Sequence, residues 1–86
     1  MGPKFSLGRL VATPGVLAMG IDLDPYLDRH VSGDWGDLDE EDKTENELSL
    51  KEGFRLLSAY NTPFGKFWII SEADRASTCC LLPEEY

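Results

Sequence analysis

The chain has 86 residues, is 42% apolar, and sets sixteen acidic side chains against eight basic ones, for a formal charge of -8 with histidine neutral. That length suits one domain over residues 1–86 and leaves little room for a second core or an enclosed active-site chamber. Four Phe, three Tyr and two Trp are ample for a core, which argues against pervasive disorder, and the negative charge disfavours direct nucleic-acid binding.

Neither a secretory signal nor a membrane span is visible, because Arg9, Thr13 and Pro14 interrupt the short apolar stretch after Lys4. A cytoplasmic protein without membrane association is the resulting expectation. Phe5–Val11 reads as a first strand, with Gly8 marking a bend. Thr13-Pro14 then has the form of a helix start, since Thr13 can cap free amides and Pro14 loses nothing at the first helical position. Gly20 lets the chain turn. Asp24-Pro25 opens a second short helix that groups Leu27, His30 and Val31 on one face, and Ser32-Gly33 closes it.

Residues 34–52 form an acidic turn-helix segment holding nine acids against Lys43 and Lys51. Asp37 or Asp39 is placed to cap a helix whose first turn carries Glu40, Glu41 and Asp42. Thr44-Glu-Asn-Glu47 also matches a capping box, so a break near Thr44 is a second option. Gly53 is the expected stop, and Leu38, Leu48 and Leu50 form no clean stripe, so the helix is expected to be mostly exposed.

The period changes after Gly53. Phe54–Tyr60 alternates as a strand, and Asn61–Lys66 is hairpin-like, with Pro63 arguing against a simple two-residue turn. Phe67–Ser71 is the strongest strand, with Trp68 assigned to the core, and Ser77–Leu82 is a last strand stopped by Pro83. The reading is an α+β fold: a small antiparallel β-sheet of three or four strands with two or three short helices. Adjacent Cys79 and Cys80 would point to opposite faces of a strand, which suits reduced, partly buried thiols better than a disulfide or a shared zinc site.

Chemistry is sparse in this pattern. His30, Asp34, Asp37 and the Asp39–Asp42 cluster have the atoms of a divalent-ion site, but their spacing fits neither an HExxH site nor a calcium loop. Capping and solvated charge account for them, so no metal ligand, cofactor or catalytic residue is assigned. The enzyme alternative is a metal-assisted hydrolase using His30 and Asp34 as an acid–base pair. A weak nucleic-acid-binding module is another, and it requires Arg9, Arg29, Arg55 and Arg75 to share a face. The candidate binding residues are Trp35, Asp34, Asp37, Glu40, Glu41 and Arg75. Trp35 can anchor its turn or offer contact area, the acids can steer a basic protein partner or mimic DNA phosphates, and Arg75 can grip a carboxylate or phosphate.

Three segments, His30-Val-Ser-Gly-Asp-Trp-Gly-Asp-Leu38, Ser71-Glu-Ala-Asp-Arg75 and Leu81-Leu-Pro-Glu-Glu-Tyr86, together resemble a family of small uncharacterised bacterial proteins associated with plasmids and other mobile elements. The resemblance spans nearly the whole chain. It implies an accessory setting and no catalytic roles. Cys79-Cys80 departs from the small or β-branched residues that it implies there, which weakens a catalytic-cysteine account. A non-enzymatic acidic regulatory or protein-interaction module is the expectation that follows.

Overall fold

The computed structural model describes residues 3–86. Its elements run β1 (Arg9–Ala12), α1 (Pro14–Ala18), α2 (Asp24–Val31), α3 (Glu40–Glu52), β2 (Leu56–Thr62), β3 (Gly65–Ser71) and β4 (Ser77–Leu81), with a closing 3-10 turn at Pro83–Glu85. The fold is α+β. One four-stranded sheet has the order β1-β4-β3-β2, and β2, β3 and β4 form the expected antiparallel meander. The fourth strand departs from a purely antiparallel sheet, because β1 crosses over to pair with β4 in parallel.

Register assigns the faces. Ser58, Ile69 and Cys80 lie opposite one another, so their face also carries Tyr60, Phe67, Ser71 and Thr78. Val16 of α1 and Leu27 of α2 bury against Tyr60, Phe67, Ile69 and Cys80 to make the core. Both helices are short and draw their stability from this packing. Thr13 caps α1 through Val16 N–H, as its sequence predicts, and Asp24-Pro25 begin α2. Cys79 and Cys80 are free, one half-buried and one buried, with burial pushing the Cys80 thiol up to about 12.

Three expectations are corrected and one option is closed. β1 starts at Arg9 rather than Phe5, because Gly8 bends the chain at φ +64, where a Cβ would come within 2.4 Å of the Arg75 carbonyl. α3 has no break at Thr44, whose hydroxyl donates to the Glu40 carbonyl one turn earlier at 2.9 Å. β2 starts at Leu56, leaving Phe54 exposed outside it. The β2–β3 loop is a two-residue turn, Pro63-Phe64, closed by the Thr62–Gly65 pair. Pro63 is tolerated because the first central turn position has no amide to contribute and favours its fixed φ. The Thr62 hydroxyl completes the turn by donating to Gly65 O at 2.7 Å and accepting from Phe64 N–H at 3.0 Å.

Candidate functional site

α3 is placed by its caps: Asp39 accepts from Asp42 N–H at 2.9 Å, and Gly53 ends the helix at φ +79. The helix runs beside the outer edge of β2, and the residues it buries are polar, Asn46 and Ser49. Asn46 pairs with the Leu57 backbone through both ends of its side-chain amide. Further along the strand, Ala59 N–H donates to Trp35 O at 3.1 Å and Asp37 N–H to Ala59 O at 2.7 Å. Asn61 N–H then donates to the Asp37 carboxylate at 2.8 Å. This edge of the sheet is sealed.

Between α3 and the sheet lies a groove of about 610 Å³. Leu38, Leu57, Ala59 and Trp68 supply its apolar surface, while Asp37, Asp39, Asp42 and Glu45 supply carboxylates and Lys66 an ammonium. Asp37 and Asp39 are engaged in the bonds above. The Asp42 and Glu45 side chains have no hydrogen-bond or ion-pair partner among the described residues. Trp68 is half-buried here rather than in the core, because its strand parity is opposite to that of Phe67 and Ile69. Its other neighbour is Tyr86, edge-on with centroids 5.8 Å apart.

The sequence candidates are dispersed, and only Asp37 lines the groove. Trp35 is 3% exposed, stacked on Phe5 and donating its indole N–H to Glu47 at 2.8 Å, so it anchors the turn from inside and offers no recognition surface. Asp34 pairs with Arg29 at 2.8 Å, and that guanidinium holds its carboxyl below the usual range. Glu40 and Glu41 lie exposed in the first turn of α3, away from the groove. Arg75 is spent on backbone carbonyls: those of Phe54, Glu72, Ala73 and Ser49, at 2.7 to 3.1 Å. It is therefore a clamp between the β3–β4 loop and the end of α3, with no free fork for an anion. Asp42, Glu45 and Trp68 were missed as a set. The first two are one helical turn apart, but only the fold brings Trp68 beside them.

The alternative assignments fare differently. His30 is 0% exposed, and its ring nitrogens meet the Ser58 and Ser71 hydroxyls, so the His30–Asp34 acid–base pair of the enzyme alternative does not form. Among the described residues, no group of three or more His, Cys, Asp or Glu is arranged to hold a metal ion. Of the four arginines that a nucleic-acid-binding face would need, Arg29 pairs with Asp34, Arg55 with Glu72, and Arg75 donates to backbone carbonyls, Glu72 O among them. No helix is long and apolar enough to cross a membrane among the described residues. No protein-family model, curated protein or solved structure matches the chain.

Proposed function

We propose that the protein is a non-enzymatic interaction module whose groove between α3 and β3 receives a basic segment of another protein. An accessory role in the bacterial cytoplasm, in keeping with the mobile-element resemblance, is the setting that this reading favours. The observation that carries it is that the Trp68 indole lines one groove with the Asp42 and Glu45 carboxylates, which have no partner among the described residues. An indole wall and unpaired carboxylates suit a lysine or arginine side chain, which can lie on the ring while its charge meets the acids. The net charge of -8 adds long-range steering of a basic partner.

Titration with arginine- and lysine-rich peptides, followed by NMR, tests the proposal. Saturable shifts are expected at Asp42, Glu45 and the Trp68 indole, with none for peptides whose basic residues are replaced by glutamine. A folded Asp42→Asn, Glu45→Gln double variant is expected to bind at least about tenfold more weakly, or about 1.4 kcal/mol. Shifts spread evenly over all the acids, or equal affinity in the double variant, would show general charge attraction and reject the groove.

A further inference from the structure

The two edges of the sheet are finished differently. On β2 the outward amides of Leu57, Ala59 and Asn61 each have a partner, supplied by Asn46, Trp35 and Asp37. On β1, Arg9 N–H donates to Ala76 O at 2.9 Å and Thr13 N–H to Cys80 O at 3.0 Å. Strand alternation therefore turns the amides and carbonyls of Leu10 and Ala12 away from β4. Among the described residues, no group bonds to any of these four. The side chains beside them are apolar and open to solvent, with Leu10 48% and Val11 43% exposed on opposite faces.

We propose that β1 is the contact strand of a homodimer, pairing antiparallel with β1 of a second copy about a two-fold axis at Val11. The outward groups set this register. An axis at Val11 places Leu10 against Ala12 of the second copy, and the reverse, which makes four hydrogen bonds. An axis at Leu10 satisfies only the Leu10 groups, because Gly8 would have to oppose Ala12 and has left the strand at φ +64. The Val11 side chains then meet at the axis as a close, non-hydrogen-bonded pair.

Charge argues for a second copy as the occupant. Nine of the sixteen acids lie between Asp34 and Glu52, and α3 flanks β2, three strand spacings or about 14 Å from β1. Joining two copies at β1 keeps both α3 helices at the far ends of a continuous eight-stranded sheet. The only charged residue of β1 is Arg9, and the register sets it opposite Thr13 of the second copy. The Thr13 hydroxyl holds the Glu85 carboxylate at 2.6 Å, so each end of the interface gathers a guanidinium from one copy and a carboxylate from the other. A two-fold axis perpendicular to the sheet keeps both groups on the same face. The contact strand is short, so the dimer forms only at elevated concentration.

Sedimentation equilibrium from about 5 μM to about 1 mM tests this, a range that brackets a weak dimer. The weight-average mass is expected to climb from 9.6 kDa towards twice that value. Leu10→Pro removes an outward amide and leaves the Arg9 and Val11 amides on β4, while Arg9→Glu sets like charges at both ends. Each is expected to weaken association at least about tenfold. A mixed sample of labelled and unlabelled chains should give intermolecular NOEs between Val11 methyl groups. A wild-type mass fixed at 9.6 kDa throughout overturns the proposal. Association of folded Arg9→Glu as tight as wild type does so too, as do NOEs that place another surface at the contact. If Leu10→Pro does not fold, Arg9→Glu and the Val11 NOEs decide the matter.

Discussion

The side-chain amide of Asn46 occupies the place of a neighbouring strand against Leu57. Its Nδ2 donates to Leu57 O at 2.6 Å and its Oδ1 accepts from Leu57 N–H at 3.1 Å. Asn46 is 5% exposed, so neither Leu57 group would meet bulk water readily if that amide were lost. Asn46→Leu keeps the volume and strands both groups, each at a cost of about 1–3 kcal/mol. Denaturant unfolding should register a loss of about 2–6 kcal/mol and, because the edge is unsealed, a lower solubility limit. A loss below about 0.5 kcal/mol, the usual range for a surface change, would mean the pair does not hold α3 to the sheet.

Gly36 is the second point where this seal admits one residue type. It forms an isolated bridge with Ala59 at φ +78, and a Cβ there would stand 2.1 Å from Ala59 O and 2.6 Å from the Tyr60 ring. Both obstacles belong to a buried strand and cannot swing away. Gly36→Ala is therefore expected to destabilise the fold by more than about 3 kcal/mol, combining positive-φ strain with the clash. Proton–nitrogen NMR spectra should show the Trp35–Asp37 turn released or the whole chain unfolded. An unchanged spectrum and melting point would contradict the close approach.

The legible parts of this chain are those whose signals are local. Thr13-Pro14, Gly53, Phe67–Ser71 and Pro83 mark their boundaries through capping, positive φ, alternation and a missing amide, and each acts within a few residues. The less legible parts depend on distant partners. α3 is mostly exposed, as its lack of a leucine stripe predicts, but it docks through Asn46 and Ser49, which hydrophobic periodicity does not register. Trp35 lies among Asp and Gly, where a turn anchor and a contact ring read alike, and its N–H partner Glu47 is twelve residues away on another element. Trp68 appears in an apolar run, and only the register with Leu81 and Ala59 shows that it faces away from the core.

Arg75 illustrates the same distance effect with a measurable consequence. It adopts φ +59, the one non-glycine residue with positive φ among those described, and its guanidinium donates to carbonyls from α3, the Phe54 turn and its own loop. Lysine carries the charge but not the planar fork, so Arg75→Lys should lose most of these bonds and about 1–2 kcal/mol of stability. Arg75→Gly removes the backbone strain while deleting every contact. If the strain outweighed the clamp, glycine would be the more stable replacement. The clamp is expected to dominate, with chemical denaturation ranking wild type above lysine and lysine above glycine.

His30 supplies the pH dependence, and the hydroxyls around it fix its tautomer. The Thr78 hydroxyl donates to Leu7 O at 2.7 Å, so it accepts from Ser71, whose oxygen in turn accepts from His30 Nε2–H at 3.0 Å. Nδ1 is left as the acceptor for the Ser58 hydroxyl at 2.5 Å. Protonation would place a second N–H against Ser58 in a site sealed by the rings of Phe5 and Trp35. Burial, with a smaller push in the same direction from the nearby Arg75 guanidinium, lowers the pKa from 6.5 to about 4. Between those values the unfolded chain binds a proton that the folded chain refuses, so stability falls as pH drops through this window. The loss approaches about 3 kcal/mol by the lower limit, below which both states are protonated and His30 contributes no further change. Asp34 and Glu85, whose pKa values are also lowered, add their losses at more acid pH, below the carboxylate reference values near 4. Urea unfolding at closely spaced pH values should show this slope in the wild type. His30→Gln, less stable at neutral pH, should be nearly flat from pH 6.5 to about 4.5. Equal slopes in the two proteins would assign the acid sensitivity to the carboxylates and remove His30 from it.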